Sequence, residues 1–425
     1  MAAIIGGVDL AEALTIVNRQ VAFPGRSDGV LAGKVRDALT AKAKADPEFE
    51  MPSKVTSPAD GLKSGVVVRP VEALHRLAYA TRPRLQDNLL DFYLQWGIVR
   101  YLGFFVTQAN TPWPLLAVSD AGKQVMGNQR RVTSEELGIG FGVLLAERWF
   151  EQSWRRGLTI RPVDVDVALS EGRIDSHTVE SASKRRPDYL LVANAAPGSP
   201  RHRIRALECK GNSDLAKAVP QLASAAKQLE GIRVSKRLLS GLAVSTVSAN
   251  NKVRYEAIAL LDENEPTYGA NAATMDESRG FRLAEAVPDV EASVLVNALL
   301  RSSWATLADF GGNLDAVDRW APEVMRNRLD RRPRQRASYD TPYGIAQGTS
   351  VSFEFNGQRL TVSYGVEETI DHRLSEAAVE DVVEAQAAFA ERLARQPGAG
   401  ASSDPNPREA HSATTDGSIF TVTLD

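Results

Sequence analysis

The sequence predicts an α/β protein: a mixed central sheet flanked by helices, with an additional helical N-terminal region and a small C-terminal α+β region. Two observations carry this. Between residues 126 and 265, helical and alternating patterns succeed one another as α-β-β-β-α-β-β, an order that implies a mixed sheet with helices packed on its faces. On either side, apolar residues recur at helical spacing, broken after residue 337 by a hairpin signal.

Residues 1–125 read as mostly helical. A helix spans Asp9–Gln20, a polar stretch runs through Ser57, and a longer helical region extends from Val71 to about Phe105. There Leu89, Leu90, Phe92, Tyr93 and Trp96 give one broad apolar face. In the core, residues 126–265, Thr133 and Glu136 form a capping box opening a helix to about Trp154. A strand follows at Leu158–Leu169, where Val163, Val165 and Val167 alternate with Asp164 and Asp166. Then come the apolar run Tyr189–Ala193, the turn-rich Asn194–Pro200, a strand at Arg203–Lys210, and a helix from Asp214 to about Glu230. Strands at Gly241–Ser248 and Tyr255–Leu261 complete the core.

Residues 266–336 read as helical with an arginine-rich end. In 337–395, Val351–Phe355 and Leu360–Tyr364 flank the turn pair Asn356-Gly357, and Ser375 caps a helix to about Arg395. Residues 396–425 read as a disordered linker, Gln396–Ser412, rich in Gly, Ser, Pro and Ala, and a terminal strand at Ser418–Leu424.

With 425 residues the chain can form two or three domains. Its net charge of −3 gives no global attraction to nucleic acid, so any such attraction is local. Cys209 is the only cysteine, which excludes an intramolecular disulfide and a cysteine-built zinc cluster. The five histidines have no metal-ligand spacing. Met1–Val8 is apolar but is cut short by Asp9 and Glu12, and reads as the lead-in to a helix rather than a secretion signal. No uncharged run is long enough to span a bilayer. The expectation is a cytoplasmic protein with no membrane partner.

The chemistry is concentrated in Leu207-Glu208-Cys209-Lys210. Side chains alternate along a strand, so Glu208 and Lys210 project together while Leu207 and Cys209 point the other way. Of the twelve lysines, Lys210 alone has Asp or Glu two places before it. Twenty positions upstream Asp188 follows Pro187 and opens the neighbouring strand, so a hairpin would bring it to Glu208. Two carboxylates can hold a hard divalent cation, which stabilises charge building on phosphorus and acidifies its water. A neighbouring lysine can orient that water or neutralise the transition state.

Arg186-Pro187-Asp188 followed by Glu208-Cys209-Lys210 resembles the PD-(D/E)xK phosphodiesterases, the superfamily of restriction endonucleases, junction resolvases and related repair and defence nucleases. The resemblance covers roughly residues 130–262 and implies a restriction-endonuclease-like core. It implies Asp188 and Glu208, with the backbone carbonyl of Cys209, as ligands of Mg²⁺ or Mn²⁺, and Lys210 as the catalytic lysine. Many members carry a glutamate on the helix before the first core strand, matched here by Glu147 and second by Glu136. Some carry a glutamine on the helix after the lysine, matched by Gln221. Asp164 and Asp166 could also supply an acid, but sit one strand too early for the pattern. Cys209 reads as a small core residue rather than a nucleophile, with no histidine beside it.

The expected partner is nucleic acid, foremost double-stranded DNA, with a homodimer plausible where two strands are cut. Lys184, Arg185 and Arg186 precede Asp188, Arg203 and Arg205 approach Glu208, and each is a candidate phosphate contact. Arg201, Arg233, Lys236 and Arg237, and the denser run Arg326, Arg328, Arg331, Arg332, Arg334 and Arg336, read as further basic surface. Gly61-Leu62-Lys63-Ser64 lacks the first glycine and the strand-to-helix setting of a phosphate-binding loop, which argues against an ATP-driven function. The sequence thus supports a metal-dependent nuclease in defence, restriction or repair. A non-catalytic binding or scaffold protein that keeps the fold is the alternative, and a hydrolase of another phosphate ester a third reading. The first requires the Asp188 and Glu208 carboxylates to converge; carboxylates turned apart or locked to arginines such as Arg205 would favour the second.

Overall fold

Long apolar strands from the middle of the chain build an eight-stranded mixed sheet in the computed structural model of the protein. The structure describes residues 4–5, 8–81, 101–153, 156–170, 179–181, 185–194, 199, 201–234, 237–249, 251–262, 265, 267–269, 290–322, 326–327, 335–355, 357–395, 406 and 408–425. The sheet's strands are β1 (Gly25–Arg26), β2 (Thr56–Ser57), β3 (Ile160–Asp164), β4 (Tyr189–Asn194), β5 (Arg201–Asn212), β6 (Gly241–Ala249), β7 (Lys252–Leu260) and β8 (Tyr268–Gly269). They run in the order β1-β7-β6-β5-β4-β3, with β2 also on β7 and β8 on β5. β4 is antiparallel to both its neighbours, β3 and β5, while β5 and β6 are parallel and β6 and β7 antiparallel. All six residues of β4 are buried, as a strand covered on both faces requires.

The parallel step from β5 to β6 needs a crossover, supplied by a 3₁₀ turn at Leu215–Lys217 and a helix at Ala218–Leu229. Seven of the helices, in chain order, are α1 (Leu10–Asn18), α2 (Gly29–Ala45), α3 (Pro70–Ala80), α4 (Gly127–Ser153), α5 (that crossover, Ala218–Leu229), α6 (Val290–Phe310) and α7 (Val379–Arg395). α4 and α5 lie on opposite faces of β5. Cys209 faces α4, where an added Cβ at Gly142 would lie 2.5 Å from its Sγ. Asn212, on the other face, bonds Gln221 of α5. A second, antiparallel sheet is built from β9 (Ala337–Thr341), β10 (Gly344–Phe355), β11 (Gln358–Glu367), β12 (Glu409–Ala413) and β13 (Ser418–Leu424), in the order β9-β10-β11-β13-β12. The chain is therefore mixed α/β, with several sheets flanked by helices.

Several expectations need correction. Among the described residues before 126, short strands stand beside the helices, where the sequence suggested mostly helix. Val21–Phe23, Val66–Val68, Phe105–Gln108 and Leu115–Val118 form a four-stranded sheet, and β1 and β2 join the central one. Strands of two to four residues are too short for their alternation to show. The helix from Val71 ends at Ala80, and Leu89, Leu90, Phe92, Tyr93 and Trp96 lie outside the described residues. Thr133 and Glu136 do not cap: α4 begins at Gly127, and Glu136 accepts a hydrogen bond from the Tyr101 hydroxyl instead. The strand predicted to Leu169 stops at Asp164, whose Oδ1 accepts the Val167 N–H at 2.8 Å and turns Val165–Ser170 into a short helix. Ser375 lies inside a helix at Glu368–Glu376, and its predicted helix starts afresh at Val379. Part of the predicted linker, from Glu409, is strand β12. The hairpin, the helix that follows Asp9, the helix of the α5 crossover and the terminal strand stand as expected.

α4 reaches the central sheet through glycine. A Cβ on Gly211 of β5 would meet the Ser134 carbonyl oxygen at 1.7 Å, and one on Gly138 would meet the Gly211 nitrogen at 2.7 Å. Gly211→Ala is therefore expected to lower stability by about 3 kcal/mol, the upper part of the usual overpacking range. Gly33→Ala, with nothing within 4 Å in the interior of α2, is expected to hold or gain up to about 1 kcal/mol. Urea denaturation of the two variants checks this; equal midpoints would show that the close approach is not a constraint.

Candidate active site

The ladder between β4 and β5 pairs Tyr189 with Leu207, so the next opposed pair is Asp188 and Glu208. Asp188, just before β4, donates its backbone N–H to Glu208 Oε2 at 3.0 Å. The Cys209 N–H returns a bond to Asp188 Oδ2 at 2.8 Å. Lys210 lies two residues beyond Glu208, on the same face of β5, and its Nζ donates to Glu208 Oε1. The three side chains singled out in the sequence thus meet at one end of β4.

Their electrostatics follow from burial. Glu208 is fully buried; desolvation, reinforced by the neighbouring Asp188 charge, pushes its carboxyl up to about 8 against the pull of Lys210. Burial likewise raises Asp188, with the Cys209 N–H and Lys210 opposing and Asp166 adding to the rise. Burial works to lower Lys210, but the Glu208 and Asp188 charges outweigh it and hold the ammonium above its ordinary value. When both acids are ionised, two carboxylates beside one fixed base leave a local deficit of positive charge. Carboxylate oxygens are the donors that hard divalent cations prefer, so this pair fits Mg²⁺ or Mn²⁺. The main-chain group of Cys209 that touches Asp188 is its N–H. No group of three or more His, Cys, Asp or Glu side chains with metal-holding geometry occurs among the described residues.

Gln221 lies on the same face. Its Oε1 accepts from Asn212 Nδ2 at 2.7 Å and from Ser245 Oγ at 3.3 Å, which places it beside the next same-face position of β5 after Lys210. Asn212 and Ser245 escaped the sequence reading, although Asn212 continues the two-residue period Glu208, Lys210, Asn212.

Glu147 is not brought to this cluster. It projects from α4, on the opposite face of the sheet, and its Oε2 takes Arg76 Nε at 3.0 Å and a second Arg76 nitrogen at 2.7 Å. The charges acting on it are Arg76, Asp416 and Glu151. Glu136 is engaged by Tyr101. Asp164 caps the short helix, and Asp166 pairs with Arg186 at 2.7 Å, close enough for its charge to be felt at Asp188.

The basic residues divide by face. Arg203 and Arg205 share the odd-numbered side of β5 with Leu207 and Cys209, away from Glu208, so they do not line the approach to it. Both pair with Glu265, Arg205 through two 2.8 Å bonds, and the Arg205 guanidinium stacks 4.3 Å from the Trp149 ring of α4. Arg205 therefore packs the core and is not the partner of the Asp188 or Glu208 carboxylate. Arg185 is exposed, Arg186 is held by Asp166, and Lys184 lies outside the described residues. Arg336 bonds the Gly311 carbonyl and Asp371, while Arg328, Arg331, Arg332 and Arg334 fall outside them. The Cys209 thiol is buried against Gly142 and pushed well up by desolvation, in keeping with a packing role. Compared with family models, curated proteins and solved structures, the chain matches none of them.

Proposed function

We propose that this chain is a divalent-metal-dependent nuclease of the PD-(D/E)xK kind, hydrolysing phosphodiester bonds of DNA in defence, restriction or repair. The single observation that supports it most is the convergence of Asp188 and Glu208 across one ladder step, with the Lys210 amine on the same acid. Asp188 and Glu208 would hold Mg²⁺ or Mn²⁺, with the Cys209 carbonyl as a further oxygen. The bound cation supplies charge stabilisation at phosphorus and a more acidic water. Lys210, kept protonated by its two acids, orients a nucleophile and neutralises developing negative charge rather than accepting a proton. Asn212, Gln221 and Ser245 form a neutral hydrogen-bonded wall next to it that can position a phosphate or its water. Double-stranded DNA is the substrate class put first. Cutting both strands calls for two such sites, hence a homodimer or two visits. The non-catalytic reading is weakened because the arginine that could have locked the acids, Arg205, pairs with Glu265.

With Mg²⁺ or Mn²⁺, the full-length protein is expected to cleave plasmid DNA. Lys210→Ala is expected to lose about 10²–10³-fold in rate, the scale for removing one transition-state charge partner, with an unchanged circular-dichroism spectrum. Undiminished cleavage by that variant removes Lys210 from the mechanism. Parallel digests of single-stranded DNA and RNA fix the substrate class, and a protein that cuts none of the three with either metal sinks the proposal.

Glu208 yields a second prediction. A carboxyl raised to about 8 is protonated at pH 7, whereas a metal ligand must be charged. Mg²⁺ binding is therefore expected to release up to one proton per site near pH 6.5 and none above about pH 9. Calorimetry in buffers of differing ionisation enthalpy reads this directly. The linkage sign for the metal-free protein is definite: the folded value lies above the unfolded one. Its stabilising contribution is full below about pH 4.5 and is lost as pH rises through about 8. Proton-neutral binding at pH 6.5 would place the cation elsewhere.

A further inference from the structure

A cavity of about 560 Å³ opens along the C-terminal half of α4, within the size range of small-molecule sites. Its walls come from α3, the edge strand Val66–Val68, α4 and α7. It is rich in charge that the core does not need. Arg69 donates to Glu72, Asn18, the Tyr343 hydroxyl and the His411 carbonyl, and Arg76 to Glu147, Ser412 and the Glu72 carbonyl; these two arginines are bound into the wall. Arg148 and Arg156 are not. The ion pair of Arg148 is a long 3.6 Å contact with Glu72 from a side chain 33% exposed. Arg156 is exposed and has no hydrogen bond or ion pair among the described residues.

The same lining holds a buried acceptor. Glu147 is 7% exposed, and both Arg76 contacts fall on its Oε2. Its Oε1 lines the cavity without a hydrogen-bond partner among the described residues. That oxygen is not closed off from solvent, so a ligand's donor can reach it from the cavity. Trp113, 40% exposed, presents an indole face on the same lining, with Val68, Leu144 and Leu393 as apolar surface.

These groups specify a ligand. Glu147 repels an anion from the inner wall, so negative charge is favoured beside Arg148 and Arg156, whose positive charge also acts on Glu151. The inner wall demands a hydroxyl or amine donor, and Trp113 a flat ring. Inorganic phosphate supplies only the first of these, and a sugar phosphate leaves the indole and the apolar wall uncovered. We propose that this cavity binds a nucleoside phosphate, its phosphate at Arg148 and Arg156, its base against Trp113, and a sugar hydroxyl or base amine donating to Glu147 Oε1. The site is separate from the Asp188 cluster, and the proposal does not rest on nuclease activity.

Calorimetric titration of the full-length protein in EDTA, which keeps divalent cations out of the Asp188 site, tests it. The probes are nucleoside mono- and triphosphates of the four bases, unphosphorylated nucleosides, ribose 5-phosphate and inorganic phosphate. At least one nucleoside phosphate is expected to saturate one site at least tenfold more tightly than ribose 5-phosphate or inorganic phosphate. Arg156→Glu, an exposed change with no bond to break, is expected to weaken it at least tenfold, and Trp113→Ala to narrow its margin over ribose 5-phosphate. Failure of every nucleoside phosphate to bind at millimolar concentration overturns the assignment. So does equal binding of ribose 5-phosphate or inorganic phosphate, and so does binding that Arg156→Glu leaves intact.

Discussion

Asp188 and Glu208 face each other because the antiparallel ladder between β4 and β5 has one register. Six consecutive pairs, from Tyr189 with Leu207 to Asn194 with His202, fix it. A slip of one residue would turn Glu208 and Lys210 to the α4 face and carry the apolar Leu207 and Cys209 to the other. That slip is blocked on the α4 side by fit. Gly211 lies against the Ser134 carbonyl and Cys209 against Gly142, so no larger side chain can take either place without moving the helix. The acids are thus positioned by the packing of residues that carry no chemistry. The same packing sets Arg205 under the Trp149 ring, where it pairs with Glu265.

Much of the central sheet was legible because its strands are long and their apolar runs uninterrupted. β4, β5, β6 and β7 and the α5 crossover all produce strong periodic signals, and the two-residue period of β5 alone puts Glu208 beside Lys210. The short N-terminal strands gave no such signal. They exist because neighbouring strands complete them, as Tyr255 and Ala259 of β7 do for β1 and β2, and a local pattern does not encode a partner two hundred residues away. The position of Glu147 was illegible for a related reason. Spacing along α4 says how far a glutamate lies from the core strand, but not which face of the sheet the helix covers. The α4 face is declared by Cys209 and Gly142, and the residue that captures Glu147 is Arg76, from a helix outside the core pattern.

The parts of the chain are joined by polar groups buried where they meet. Arg161 of β3 is completely buried, and its guanidinium is held by two amide oxygens, Gln386 Oε1 at 2.7 and 3.1 Å and Asn194 Oδ1 at 2.9 Å. Burial draws it down to about 10, with Asp416 opposing, so it remains a cation at neutral pH. Gln386, from α7, also accepts the Trp304 indole N–H and donates to the Asp416 carbonyl. One amide therefore binds the central sheet, α6, α7 and the turn before β13. A network of this sort is stabilising only when each member is satisfied, which makes the C-terminal region part of the framework that fixes β3 and, through β3, the edge of β4.

Packing does not account for the Asp188 cluster in the same way. Two buried acids and one base leave an uncompensated negative charge when both acids ionise, and the fold responds by holding a proton on Glu208. A hydrophobic trio in the same places would be easier to bury. Arg161 shows that this chain can satisfy a buried charge with neutral dipoles, yet the backbone around Asp188 and Glu208 donates just enough to aim the two carboxylates and not enough to saturate them. Charge left unsatisfied by design of the surrounding ladder is a property of sites that take up a ligand. A compact cation that prefers oxygen donors would displace that proton and satisfy both carboxylates, and on this requirement, more than on the motif, rests the proposal of phosphoryl chemistry at Asp188, Glu208 and Lys210.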